Sequence, residues 1–520
     1  MHGSTIDVRT WGSTSEKHKY VFPLGSTAHR EVFADMTDAD RTRFSGATYA
    51  ASQWNVHGIE SVTASGHCKI TIATPLDLSG DASWTDTGDS FTIPGTSVVY
   101  NCYSTFYSAA MASASTPLAI PHHSTWSTIV FASGGIITVD APEPPCTVID
   151  KVTTLRNNTI NNPAITILSD GSYLASQTFS VTNGCVYKSA DRGSTWTKIS
   201  NQIRQSYCAV YEHSGALYML GCDAVGGSFA VQKSTDGGYT WSANSVIFSK
   251  DGTTDGYHGG SAPFVEKDGR VYRAMGERGG ETYNAAVDRV WGIVLLSASV
   301  SSDLTNPASW TMSNVLYYNR SWLGVTSTRW EEPALVKKAD GSLVIIARID
   351  GTSDKEYAAL IDVNSDTSIS FNRVFAMPGA GKRMTIAYDA TSGKYWTLVS
   401  PFYSNTRSLY GLNPNQSRYS LELMSSTDLL TWTRERTCIY SDNAFNNSYH
   451  YIDWRFDGDD LVSVFRLSMD EERGLPLHYH DSNAFGYFRV RNFRSGGAES
   501  TIFVDTPVVD GSPSVPSLVY

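Results

Sequence analysis

The sequence predicts an all-β chain: a β-rich leading region followed by a ring of four-stranded propeller blades, seven in number or else six. Three observations predict it. Aromatic residues make up 12% of the 520 residues and charged residues only 18%, alongside 42 glycines, a mixture that suits many short strands and turns. From about residue 147 a strand–glycine turn–strand unit recurs. A second motif, S-x-D-x-G-x-T-W, recurs within it.

The leading region, residues 1–145, carries β-type runs such as CKITIATPL and SFTIPGTSVVYNCY, with one helical patch expected at REVFADMTDADRTRF. It shows no catalytic spacing and reads as an accessory domain of unassigned role. Pro142, Pro144 and Pro145 mark its boundary. Residues 146–506 are expected to form the propeller and 507–520 a tail.

Six repeat units are visible: ITILSDGSYLASQ, AVYEHSGALYMLG, PFVEKDGRVYRAM, ALVKKADGSLVIIARI, IAYDATSGKYWTLVS and IDWRFDGDDLVSVFRL. Their turn glycines (Gly171, Gly215, Gly269, Gly341, Gly393 and Gly458) lie 44 to 72 residues apart, which accommodates one four-stranded blade each plus loop insertions. Strands near Ile129–Val139 and Phe485–Phe493 are candidates for a seventh blade that closes the ring and removes the sheet edges.

The second motif is complete at Ser189–Trp196 and Ser234–Trp241, with partial copies at Ser301 and Ser426. Its physics is structural. The aspartate accepts from turn amides, the glycine takes positive φ, and the tryptophan packs between blades.

The net charge of −11 gives no general field for nucleic acid or an anionic membrane, although a local basic cluster can still hold a polyanion. No apolar run reaches the length of a bilayer span, and MHGSTIDVRTWGSTSEKHKY lacks the apolar core of a signal peptide. The seven cysteines are odd in number and scattered, so neither a disulfide framework nor a zinc knuckle is expected.

Ligands of a propeller bind where its blades converge, so polar residues at blade entrances are the candidates. They are His213, Tyr257, His258, Arg273, Arg320, Arg329, Lys382 and His450, then His478 and His480 near the end. The stretch YHGGSAPFVEKDGRVYR holds Tyr257 and Arg273 on a strand–Asp-Gly–strand hairpin that could bring them to one surface. His478, His480 and Cys222 are candidate ligands for a structural metal, calcium or zinc, in the channel. No cofactor is otherwise required.

With RWEEPALVKKADGSL, GKRMTIAYDATSGKYWTLVSP, NNSYHYIDWRFDGDDLVSVFR and HDSNAFGYFRVRNFR, that stretch resembles the propeller polysaccharide lyases of the ulvan and rhamnose–glucuronate type over residues 150–495. It also resembles related rhamnosidases and sialidase-like Asp-box propellers. The lyase resemblance implies β-elimination from a uronate. Arg273, sixteen residues after Tyr257, would neutralise the carboxylate, with Tyr257 and His213 as acid and base. His258, Arg329, Arg320, Lys382 and His450 would bind substrate. The lyases' second histidine position falls at Arg192, which would bind substrate in its place. The alternatives are a propeller glycoside hydrolase, rhamnosidase- or sialidase-like, and a phage tailspike depolymerase or receptor-binding protein. A sialidase calls for three arginines and an Arg-Ile-Pro stretch in the first blade, and no such stretch occurs. The expected partner is an acidic polysaccharide, with no nucleic acid and no membrane insertion. The setting is extracellular or a virion tail, where the chain would be a trimer.

Overall fold

A computed structural model describes residues 146–151, 160–179, 184–250, 256–260, 264–278, 292–319, 322, 329–350, 355–441, 444, 447–468, 480, 482–495, 501–504 and 517–518, and within 1–145 the strands given below with Leu78 and Ser83. The chain divides into two compact units: Met1–Pro145 with Met469–Pro476 and Val504–Pro513, and Cys146–Ser468 with Leu477–Phe503 and Ser514–Tyr520.

In the first unit, six strands run in the order Val8–Thr10, Thr48–Ala51, Ile129–Ser133, Cys68–Thr74, Val99–Tyr107 and Thr85–Thr92. Its described residues also include a three-stranded sheet (Ile137–Asp140, Ser61–Ala64, Leu118–Ala119) and a hairpin (Lys19–Val21, His29–Glu31). The helical patch expected over 30–44 begins in the strand His29–Glu31, and its remainder lies outside the described residues.

The second unit is a six-bladed propeller. The inner strands, in blade order, are Ile160–Ile167, Ser206–His213, Gly256–His258 with Val265–Lys267, Arg329–Lys337, Ile386–Asp389 and Ser448–Asp457. Of the two blade counts the sequence allows, six is realised. Ile129–Ser133 and Ile137–Asp140 belong to sheets of the first unit, and Ala484–Val490 is the third strand of blade 6. The early strand Thr147–Lys151 pairs with Ala484–Val490 and supplies that blade's outer strand, so residues from the two ends of the propeller close the ring.

Apolar clusters lie between adjacent blades. Val186, Ile203, Val210 and Met219 join blades 1 and 2, Val231, Val271, Met275 and Val294 join 2 and 3, and Tyr187, Val464 and Phe485 join 6 and 1. Each Asp-box pins the end of a blade. Asp191 accepts from the Thr195 amide (2.9 Å) and hydroxyl (2.6 Å), and Trp196 Nε1 donates to Gly193 O (3.1 Å). Asp236, Asp303 and Asp428 make equivalent turns with Trp241, Trp310 and Trp432.

Candidate functional site

The inner strands of four blades start with the same irregularity. Asn162, Tyr207, Glu332 and Tyr451 each take positive φ (48°, 55°, 49° and 56°) where the register with the next strand shifts. A non-glycine residue in this region carries strain, and a bulge turns its side chain away from the ordinary alternation. All four stand at the same end of the ring, so the bulges gather polar side chains at one mouth of the channel.

Three arginines meet there from neighbouring elements. Arg348 and Arg466 occupy equivalent places on the second strands of blades 4 and 6, each paired with the residue just before the bulge, Glu331 and His450. Arg418 precedes the third strand of blade 5. The Arg466 guanidinium lies 3.8 Å from the Tyr451 ring centroid and that of Arg418 5.7 Å from it. Arg348 donates to Glu332 Oε2 (2.6 Å) and pairs with Glu331 Oε1 (3.3 Å). Tyr451 and Glu332 lie close enough that each shifts the titration of the other. Nε of Arg348, Arg418 and Arg466 has no protein hydrogen-bond partner.

The two adjacent glutamates titrate in opposite directions. Burial raises the pKa of Glu331 against the pull of Arg348. Burial acts on Glu332 in the same sense, but Arg348 and then His258 hold its carboxyl well below the usual range. The Tyr451 phenol is pushed up by burial and then by Glu332, while the arginines oppose both. An ionised carboxylate therefore faces a neutral, buried phenol under concentrated positive charge.

Beneath this cluster, two further arginines bind the bulge backbone. Arg273, fully buried, donates to Leu220 O (2.6 Å), to Tyr207 O and to Gly260 O (3.2 Å), with Nε on Met275 Sδ (3.0 Å). Arg383 donates to Tyr451 O (2.9 Å) and Pro163 O (3.3 Å). Gly260 separates them: a Cβ there would come within 2.3 Å of Arg383 Nε. Burial lowers the pKa of Arg273 to about 10.

The residues singled out from sequence fall into three places. His258, Arg329, Lys382, His450 and His480 lie around the bulged mouth. His258 packs its ring 4.3 Å from that of Tyr207, and Arg329 pairs with Asp350 (3.0 Å). Lys382 donates to Glu356 (2.6 Å) and Pro414 O (2.8 Å), and burial brings its pKa down to about 8. Arg273, Tyr257 and Cys222 are packed inside. Tyr257 belongs to the core between blades 2 and 3, with its hydroxyl on Met312 Sδ (3.5 Å), and Cys222 donates to Tyr257 O (3.4 Å). Tyr257 pairs with Glu277, four residues along the strand from Arg273, and the Arg273 N–H groups point to carbonyls.

His213 and Arg192 stand at the opposite end of the ring. His213 ends its inner strand, its ring parallel to that of Tyr211 at 5.8 Å, and Arg192 in its Asp-box pairs with Asp457 (2.5 Å). Arg320 and His478 lie outside the described residues. Among the described residues no group of three or more His, Cys, Asp or Glu is arranged to hold a metal ion, and six cysteines, Cys222 among them, are free and buried.

Arg348, Arg418, Arg466 and Tyr451 escape a reading of blade entrances. The arginines lie at the far ends of second strands and in a loop, and Tyr451 sits beside a singled-out histidine. One signal existed in the sequence: Leu343-Val344 and Leu461-Val462 each precede an arginine by the same interval, at Arg348 and Arg466.

No known protein family and no curated protein matches this sequence. Among solved structures, an α-L-arabinanase of Penicillium chrysogenum aligns at 12% identity and TM-score 0.43, over 66% of this chain and 98% of its own. A Hadza microbial sialidase aligns at 12% and 0.45, over 85% of this chain and 95% of its own. A Trypanosoma rangeli sialidase aligns at 13% and 0.44, over 68% and 59%.

Proposed function

We propose that the protein is a propeller glycoside hydrolase acting on an acidic sugar. Tyr451 is the nucleophile, Glu332 its base, and Arg418 and Arg466 the binders of the substrate carboxylate. The observation that carries this reading is the buried Tyr451 phenol facing the ionised Glu332 among the guanidinium groups of Arg348, Arg418 and Arg466. A phenol is neutral until it reacts, so a carboxylate next to the anomeric carbon does not repel it as it would repel an aspartate or glutamate. As the phenolic oxygen bonds to the anomeric carbon, the bond from that carbon to the aglycone oxygen breaks and the aglycone leaves with a proton from water. The phenol's own proton passes to Glu332, which Arg348 holds in place. Water then releases the sugar from the tyrosine. The arginines offer the forked donors that suit a carboxylate.

Elimination from a uronate has less behind it. It calls on Arg273 to neutralise the substrate, and that guanidinium is buried with its N–H groups on Leu220 O, Tyr207 O and Gly260 O.

A panel of chromogenic glycosides tests the proposal: a 2-keto sugar acid, a uronic acid, a neutral pentofuranose and a neutral deoxyhexose. The expected result is release from a carboxylate-bearing glycoside, abolished in Tyr451→Phe. Release from the neutral sugars alone would overturn it, as would the ultraviolet absorbance of an unsaturated uronate accumulating on a uronate polysaccharide.

A further inference from the structure

We propose that His450 is a positioning residue that holds Arg418 ready for the substrate carboxylate, through a fixed tautomer with its proton on Nε2. The role in substrate binding rests on the hydrolase reading above, whereas the tautomer does not.

The geometry allows one arrangement of protons. Arg418 NH1 lies 2.6 Å from His450 Nδ1, and Nε2 of the same ring lies 3.1 Å from Ser482 Oγ. A guanidinium only donates, so Nδ1 must present its lone pair. The ring proton therefore sits on Nε2 and is donated to Ser482, whose hydroxyl also meets Ser468 Oγ at 3.3 Å. An imidazolium would set an N–H against an N–H.

The surroundings favour the neutral ring. His450 is buried, and the charged groups facing it are Arg418, Arg466 and Lys382, with His480 alongside. Burial first, and then these cations, hold its pKa well below the usual value.

The strand that carries His450 also grips the arginine's main chain, since the Tyr449 amide donates to Arg418 O (2.7 Å). Arg418 is thus tied at its backbone and at NH1. Its Nε is buried without a protein partner. Without the histidine acceptor, the guanidinium would be free to turn toward the Tyr451 ring.

Nitrogen NMR of the full chain carrying labelled histidine reads the tautomer without any ligand. The expected His450 signal is a lone-pair Nδ1 and a protonated Nε2, unchanged from pH 5 to about 8. A protonated Nδ1, or a ring that titrates in that interval, overturns the proposal whether or not the protein proves to be a hydrolase.

Calorimetry with a carboxylate-bearing glycoside reads the consequence. His450→Phe keeps the ring but removes the acceptor, and should weaken binding roughly 10- to 100-fold. His450→Asn, whose amide oxygen can take the place of Nδ1, should recover most of that loss. Equal binding by wild type and His450→Phe, with Arg418→Met defective, overturns the positioning role while the hydrolase reading stands. If wild type binds no acidic glycoside, the hydrolase reading fails, and the tautomer together with the Arg418 guanidinium exchange rate in His450→Phe still decides whether His450 holds Arg418.

Discussion

The guanidinium of Arg466 lies 3.8 Å from the centroid of the Tyr451 ring, and its NH1 donates to His480 O at 3.3 Å. The arginine therefore bears on the ring face. A cation on the face stabilises the phenolate more than the phenol, because the negative charge spreads into the ring. In the hydrolase reading this contact, with Arg348 and Arg418, opposes the burial and the Glu332 charge that push the phenol up.

Tyr451→Phe removes one oxygen and leaves ring, bulge and cation contact in place. Turnover of an accepted glycoside should fall by roughly 10³-fold or more. Substrate affinity, by calorimetry, should change little, and so should the unfolding midpoint.

Arg273 carries the opposite expectation. Its donors satisfy carbonyls of blades 2 and 3, so Arg273→Met leaves Tyr207 O, Leu220 O and Gly260 O without their charged partner. The loss should be about 3 kcal/mol or more in denaturant unfolding. The fraction that remains folded should turn over at a rate near wild type, because the effect lies in the floor of the channel and not in the reacting groups. A folded, stable Arg273→Met protein with no turnover would restore a direct catalytic role to this arginine.

These two residues also mark what could be read in the chain. The blades were legible because each is local. A turn glycine such as Gly269 (φ 70°) and an Asp-box such as Asp236–Trp241 are complete within a few residues and recur. The hairpin at Tyr257–Arg273 was legible for the same reason, and Val265–Lys267 does pair with Arg270–Arg278. The site was less legible because it is built across blades. Glu332 from blade 4 meets Tyr451 from blade 6, and a bulge at each turns the side chain from the direction that strand alternation predicts. Spacing in one blade could pair Tyr257 with Arg273, but it could not reveal that one packs on Met312 and the other on main-chain carbonyls.

Glu422 gives the stability a defined pH dependence. It is buried, with Tyr403 donating to its Oε1, and burial raises its pKa to about 7 against the hydrogen bond from Tyr403. The native state thus keeps a proton that the unfolded chain, with its carboxyl near 4.5, releases earlier. Where the native state binds more protons, stability falls as pH rises. The contribution is fully present below the unfolded value and is lost between there and about pH 7, a total of about 3 kcal/mol. Glu422→Gln still offers Tyr403 an acceptor and has no proton to lose. Its unfolding free energy should therefore vary less with pH over that interval and exceed wild type at pH 8.

Ring closure can be tested at one glycine. Gly193 takes φ +94° in the first Asp-box, and a Cβ there would lie 2.2 Å from the Tyr487 ring of blade 6. Gly237, in the second Asp-box, also takes positive φ (+77°), but a Cβ there meets nothing within 4 Å. Gly237→Ala should therefore cost only the conformational penalty, about 1 kcal/mol. Gly193→Ala adds an overlap at the seam between the first and last blades, which Tyr487 cannot relieve without giving up its hydrogen bond to Arg192 O (3.1 Å) and its edge contact with Trp196 (5.4 Å). The expected cost is larger by about 1–3 kcal/mol, read as a lower denaturant midpoint for Gly193→Ala than for Gly237→Ala. Equal midpoints would mean that the seam yields freely at Tyr487 and that closure depends on the pairing of Thr147–Lys151 with Ala484–Val490 instead.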